Sequence, residues 1–184
     1  ERLHGDTLRL GRLVDDLYQL SLSDLGALSY RMVQTDIGEV LETDLDAFRP
    51  RFAAAGLSLS FEDQRQSVGE IKADPDRLSQ LFRNLLRNSL QYTDPGGGLN
   101  VILGQEGDLV LADFQDSAPG VPPEALDQLF ERLYRVDQSR SHHTGGAGLG
   151  LAIAKNVAEA HGGRISARAS PAGGLWVRVE LPIE

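Results

Sequence analysis

Apolar residues recur at helical spacing through the stretch LFRNLLRNSLQYTD, residues 81–94. Leu81, Phe82, Leu85, Leu86 and Leu90 form one stripe, which predicts a core-facing helix. Asp74-Pro75 supplies a cap followed by a first-turn proline, so the helix is expected from about Pro75 to Tyr92. Asn84 and Asn88 sit four apart and share a face of it. An amide is short, so both must act close to the helix. An Asn carbonyl is a neutral hard-oxygen ligand suited to magnesium that keeps water and phosphate oxygens. Plain surface amides beside a core stripe fit this stretch equally well.

The same reading along the chain predicts a long amphipathic helix over residues 1–28, with Leu3, Leu10, Leu13, Leu17 and Leu20 in a seam widened by Val14 and Tyr18. So much apolar face on a lone helix calls for a partner, either another chain or helix, or the domain that follows. From Ser29 onward the pattern predicts a compact domain. A strand over Tyr30–Gln34 precedes a helix capped by Asp36 and Glu39, with Ile37, Val40, Leu41, Leu45, Phe48 and Phe52 inward. Pro50 is expected to kink or break that helix, and Gly56 to end it. Strands follow at Leu57–Phe61, Val68–Ala73, Leu99–Leu103 and Leu109–Phe114. A short helix is expected after Pro122, another over Leu149–Ala160, and a hairpin of Ile165–Ala169 with Leu175–Leu181. Residues 136–150 lack apolar periodicity and read as a mobile lid. Helices gathered against a mixed or mostly antiparallel sheet make an α+β two-layer sandwich, not a Rossmann layout.

Composition narrows the chemistry. The 184 residues contain no Cys, which removes disulfides and thiolate metal sites. With 27 acidic and 18 basic residues the formal net charge is -9, which disfavours a nucleic-acid surface. A bound polyphosphate would therefore need locally placed cations. No apolar run approaches membrane-spanning length. The chain starts without Met inside a helical pattern, as a cytosolic piece of something longer would. Walker, zinc-ligand, metalloprotease and Ser-His-Asp signatures are missing.

Three features carry candidate chemistry. Asp116 stands where a strand gives way to Ser117-Ala118-Pro119-Gly120. A carboxylate there can accept from an exocyclic amine, favouring adenine over guanine, or it can simply form the turn. Gly120 lets the backbone pass close to a ligand. Gly145-Gly146-Ala147-Gly148-Leu149-Gly150 runs into a helix, where backbone amides can hold phosphate oxygens. Arg132, Arg135, Arg140, Arg83 and Arg87 are candidates to neutralise phosphate; His142 and His143 contact phosphate or solubilise the lid.

Taken together, these blocks resemble the ATP-binding catalytic domain of bacterial sensor histidine kinases, whose Bergerat fold is shared with gyrase, Hsp90 chaperones and MutL. NLLRNSLQYT resembles the N box, DSAPG the first glycine box, LFERLYR the F box, and GGAGLGLAIAKNVAEAHGG the second glycine box. LRLGRLVDDLYQLSLSDLGAL is similar to the second helix of the dimerisation and phosphotransfer domain. DSAPGVPPEALDQLFERLYR and the terminal GGLWVRVELPIE look especially like the envelope-stress members.

The resemblance implies residues 1–28 as a partial dimerisation helix and 29–184 as the ATP-binding domain. It implies Asn88 on magnesium, Asn84 beside it, Asp116 on the adenine amine, and Tyr92 and Gly120 in the pocket. Arg135 would approach the terminal phosphate, and Gly146, Gly148, Leu149 and Gly150 would form the lid hinge and phosphate contact. The cofactors implied are ATP and Mg2+. The partners implied are a second copy through the leading helix and a response regulator receiver domain, the whole being the cytoplasmic portion of a membrane protein.

Gln91, Ala118 and Leu175 depart from the family pattern, which usually has a basic residue, Gly, and Ser or Thr there. Asn84 stands where the hydrolysing relatives place a Glu, so water activation is disfavoured and transfer to a His acceptor is implied. His4, His142, His143 and His161 all lack the context of the family's phosphoacceptor; the family commonly gives the His at the position of His161 a packing role. A superfamily ATPase, or an interaction module that has lost catalysis, are the alternatives.

Overall fold

The computed structural model describes residues 11, 13–15, 17, 18, 20–22, 25, 27–65, 70–136 and 147–183. Strand β1 (Val33–Asp36) leads into helix α1 (Ile37–Ala54), then β2 (Ser58–Asp63) and β3 (Glu70–Ala73). Helix α2 (Pro75–Tyr92) precedes β4 (Gly98–Glu106) and β5 (Leu109–Ser117). A 3-10 segment (Pro123–Gln128) comes before helix α3 (Gly150–Ala160) and the hairpin of β6 (Arg164–Ala169) and β7 (Gly173–Pro182). The main sheet runs β2-β4-β5-β7-β6, parallel only between β2 and β4; β1 and β3 form a separate antiparallel pair. The expected two-layer α+β sandwich is what forms.

Alternation explains the layering. Val110, Ala112 and Phe114 of β5, with Leu175, Val177, Val179 and Leu181 of β7, point into the core, as period two requires. Leu78, Leu81, Phe82, Leu85 and Leu86 of α2 are buried with them, and the Phe82 and Phe114 rings stack at 6.0 Å. Burying side chains of this size contributes roughly 1.5–3 kcal/mol each. Across the sheet, Arg178 holds Asp113 through two bonds of 2.7 Å, and Trp176 donates to the same carboxylate at 2.8 Å.

Several expectations shift. The first strand begins at Val33, three residues later than the alternation suggested. Helix α1 passes through Pro50 unbroken. Pro50 lies within the last turn and a half, so its missing N–H costs one hydrogen bond where little helix remains. Leu126 lies in a 3-10 segment instead of an α-helix, and Leu129 and Phe130 follow it. Residues 11, 13–15, 17, 18 and 20–22 are helical as expected; Leu3, His4 and Leu10 lie outside the described residues. Leu20 is only 3% exposed and joins the core cluster, whereas Val14 (57%), Leu17 (45%) and Tyr18 (64%) stay open. The leading helix thus buries one edge of its stripe within the chain and leaves the other uncovered.

Helix α2 is fixed at both flanks. Buried Asp44 of α1 accepts from Ser79 at 2.9 Å and from Arg83 at 2.6 Å. Asp74 caps α2 by accepting from the N–H groups of Asp76 and Arg77. The Asp74 N–H donates at 3.0 Å to Nε2 of buried His161, whose Nδ1 meets the Val157 carbonyl at 2.7 Å. That pair of partners makes His161 the neutral Nδ1–H tautomer. Tyr30 meets its ring edge-on at 5.6 Å, and the Arg77 guanidinium lies 5.8 Å from the Tyr30 ring.

Burial holds the His161 pKa below its ordinary 6.5. The unfolded chain therefore takes up a proton first as the pH falls. The stability from His161 is complete above about pH 6.5 and is lost below it. In urea titrations, the stability gap between the protein and His161→Gln is expected to narrow from pH 7.5 to pH 5.

Candidate functional site

The site lies along α2, between the end of β5 and the start of α3. Asp116 is 5% exposed at the end of β5, where the β5–β7 register slips between Gln115 and Ser117. Bulges of this kind re-aim side chains at functional places. One carboxylate oxygen accepts from the Leu175 N–H at 2.6 Å, the other from the Ser89 hydroxyl of α2 at 3.0 Å. Each oxygen keeps a second lone pair for a further donor. Burial pushes the pKa up to about 6, against the lowering effect of those two bonds. Asp116 is thus a poorly solvated carboxylate, ionised at neutral pH.

Backbone approaches this carboxylate very closely. A Cβ on Gly174 would fall 2.3 Å from Asp116 Oδ1 and 2.4 Å from the Ser117 carbonyl. A Cβ on Gly120 would lie 3.0 Å from the Gly173 carbonyl, so Gly120 packs the loop after β5 onto the start of β7. The loop tolerates Ala118 in place of a glycine: its carbonyl accepts from the Asp94 N–H at 3.0 Å.

Nearer the centre of α2 the polarity reverses. Asn84 is buried, and its Oδ1 accepts from the Arg87 guanidinium. Because the oxygen must face Arg87, Nδ2 is left as a buried donor without a partner among the described residues. Gln91 Nε2 and Arg135 Nε and Nη2 are buried donors in the same condition. An unpaired buried donor costs about 1–3 kcal/mol, so such groups mark an anion's place better than a packing defect. The start of α3 adds to them. Gly150 would bring a Cβ within 3.6 Å of Asn84 Oδ1, and Leu149, at the N-cap, offers no side-chain cap. The first N–H groups of α3 therefore lack a side-chain acceptor. Gly148, at φ +73°, threads so close to the Tyr134 carbonyl that a Cβ would sit 2.9 Å from it.

The predicted residues are thus only partly gathered. Asn84, Gly148, Gly150 and the segment bearing Arg135 come together. Asn88 is half-buried one turn along from Asn84, and Tyr92 is 45% exposed at the end of α2. Leu149 turns its side chain into the core, so only its backbone can serve a ligand. Arg83 is committed to the Asp44 carboxylate, whereas Arg87 donates to the neutral Asn84 oxygen and keeps its charge. Arg140, His142, His143 and Gly146 lie outside the described residues. Sequence reasoning passed over Ser89 and Gly174, and missed the donor role of Gln91. A small polar residue within a leucine stripe, and a Gly-Gly pair opening a strand, were the available signals. Among the described residues, no group of three or more His, Cys, Asp or Glu could hold a metal ion, and no helix is long and apolar enough to cross a membrane.

Residues 73–184 match the family described as Histidine kinase-, DNA gyrase B-, and HSP90-like ATPase. The chain belongs to this family. As a histidine kinase-like ATPase domain, it is 50% identical over 182 residues to the signal transduction histidine-protein kinase BaeS of Escherichia coli K12, covering 99% of this chain and 38% of that protein. The mycobacterial sensor histidine kinase MprB is 30% identical, with a TM-score of 0.70 over 82% of this chain and 97% of that one. Full-length ShkA in complex with AMPPNP is 27% identical, with a TM-score of 0.82 over 98% of this chain and 37% of that one. The chain spans less than half the length of the curated relatives it matches. It carries the ATP-binding catalytic domain type of two-component sensor kinases.

Because Asp116 has a raised folded-state pKa, ionising it costs stability as pH rises from about 4 through about 6. Asp116→Asn keeps an acceptor for Leu175 and a partner for Ser89. Its thermal midpoint at pH 7.5 is expected to equal or exceed that of the parent. Gly174→Ala has no such accommodation, and calorimetry should show a fall of roughly 2 kcal/mol or more from overpacking.

Proposed function

We propose that residues 29–184 bind magnesium-ATP and donate its γ-phosphoryl group to a histidine on a dimerisation domain, of which residues 1–28 are the second helix. The observation that supports this most is the opposed polarity along α2. A buried carboxylate meets the helix at Ser89, while an unpaired buried donor stands at Asn84. Five residues of helix separate them, about 7.5 Å of rise. One stretch of α2 thus brings together an acceptor for a base amine and a donor for phosphate oxygens.

In this reading Asp116, ionised above about pH 6, accepts from the adenine amino group. Asn84, Arg135 and the start of α3 take the phosphate oxygens, with backbone at Gly148 and Gly150 open to close approach. Tyr92 and Gly120 border the base. Gln91 supplies a neutral donor where relatives place a cation. The Asn88 amide oxygen would hold magnesium together with nucleotide oxygens and water. Magnesium, when bound, neutralises charge on the phosphates. Asn84 has no basicity, so it cannot take a proton from water. Productive transfer therefore goes to a histidine acceptor and depends on positioning and charge. The open edge of the leading helix, at Val14, Leu17 and Tyr18, suits a second copy of the chain. A receiver-domain aspartate of a response regulator would then take the phosphoryl group. The full protein would be a membrane-anchored sensor kinase with this part on the cytoplasmic side.

The test combines this protein, magnesium, γ-labelled ATP and a separate protein bearing the acceptor histidine and its dimerisation helices. Acid-labile, base-stable label on that acceptor is the expected result. Steady phosphate release without the acceptor, or bound ATP with no label transferred, would overturn the reading. Titration calorimetry is expected to find ATP affinity at least roughly tenfold weaker in Asp116→Asn, for loss of a charge-assisted bond. Parent affinity should fall below about pH 6 as Asp116 takes up a proton.

A further inference from the structure

Helices α2 and α3 are tied together at two places. At one end, Asp74 and Val157 both bond to the His161 imidazole, at 3.0 and 2.7 Å. At the other, the start of α3 packs on Asn84: a Cβ built on Gly150 would make ordinary van der Waals contact with it, 3.6 Å from Oδ1. From Asp74 to Asn84 is ten residues, and from His161 back to Gly150 is eleven. At 1.5 Å per residue these spans are roughly 15 and 17 Å, so the helices run antiparallel with matched contacts at both ends. Packed helices of this kind slide only by repacking. Asp74 belongs to α2, which carries Asn84, and Val157 belongs to α3, which opens at Gly150. The imidazole is a fixed spacer between them.

We propose that His161 is a positioning residue for the nucleotide site: it sets the register of α3 along α2, and so the stand-off between the start of α3 and Asn84. The proposal rests on the nucleotide reading above and adds a distant residue that touches no ligand. The segment before β1 meets the same node. The Arg31 N–H donates to the second oxygen of Asp74 at 2.8 Å, and Tyr30 closes on the ring edge of His161. The node therefore joins the segment leading from the first helix to the phosphate end of the cleft, some 15 Å away along α2.

The structure also says which ligand half should respond. A register change moves the start of α3 relative to Asn84, at the phosphate end. Asp116 stands on β5, held by Ser89 and Leu175, so the base end stays in place. Three variants separate this from plain destabilisation. His161→Asn retains a donor for the Val157 carbonyl but is too short to reach the Asp74 N–H. His161→Gln reaches Asp74. Tyr30→Ala changes no residue of either helix but removes the ring packed on the edge of His161.

Titration calorimetry with magnesium-ATP and with adenosine, on protein shown folded by circular dichroism and a cooperative melt, is the measurement. For His161→Asn we expect magnesium-ATP affinity to fall roughly tenfold, a size usual for coupling through packed elements. Adenosine affinity should be unchanged. Tyr30→Ala should fall in the same direction, and His161→Gln should stay near the parent for both ligands. Unchanged ATP affinity in folded His161→Asn, or an equal loss for ATP and adenosine, would overturn the proposal. Should His161→Asn not fold, Tyr30→Ala decides by the same criterion. A parent protein that binds neither ligand would overturn the nucleotide reading and this one with it, which the variants alone would not do.

Discussion

Burial of the leucine stripe of α2 against the sheet is the constraint on which the site depends. Leu78, Leu81, Phe82, Leu85 and Leu86 leave this helix one orientation. Once that face is seated, Ser89 meets the end of β5 and Asn84 meets the start of α3. The polar residues are not placed by their own interactions. They are carried into position by apolar neighbours one and two positions away, whose burial is worth far more than any single hydrogen bond at the site.

Part of the cost of this arrangement falls where a ligand would act. Asp116 is ionised in a place that resists charge, and the protein answers with two hydrogen bonds that leave its pKa still raised. Asn84, Gln91 and Arg135 keep buried donors without acceptors among the described residues. Asp113 is by contrast met by Arg178 and Trp176, while Asp44 Oδ2 and Thr93 Oγ1 are further buried atoms without a partner among the described residues. A buried carboxylate beside unpaired donors is a combination that a nucleotide, with its donor-bearing base and acceptor-rich phosphates, would relieve. The net charge of -9 makes the local donors more telling, since the molecule as a whole repels polyphosphate.

Kinship with histidine kinase-like ATPases and the chemistry of residue 84 bear on each other. The fold is shared with proteins that hydrolyse ATP, so fold alone does not choose between hydrolysis and transfer. An amide at residue 84 bears on that choice because it cannot act as a base. Its oxygen is already taken by Arg87, so what it offers the cleft is a donor. The leading helix has a corresponding division: Leu20 is buried within the chain, while Val14, Leu17 and Tyr18 remain open.

Local pattern determined the elements whose signals are local. Asp74-Pro75 and the leucine spacing set both ends of α2, and strand alternation identified the hairpin and the two-layer class, because capping and periodic burial are read within a few residues. Asp116, Asn84 and Gly150 were also legible, through turn residues and glycine placement. Pro50 misled because a proline's effect depends on how much helix follows it. Ser89, Gly174 and Gln91 stayed hidden, since what matters about each is a neighbour from another element. Only tertiary structure decided which atom of Asn84 faces the cleft, that Arg83 is taken by Asp44, and that His161 joins α2 to α3. Those outcomes rest on contacts between residues as many as 87 positions apart, and burial and electrostatics across such distances exist only once the chain has closed on itself.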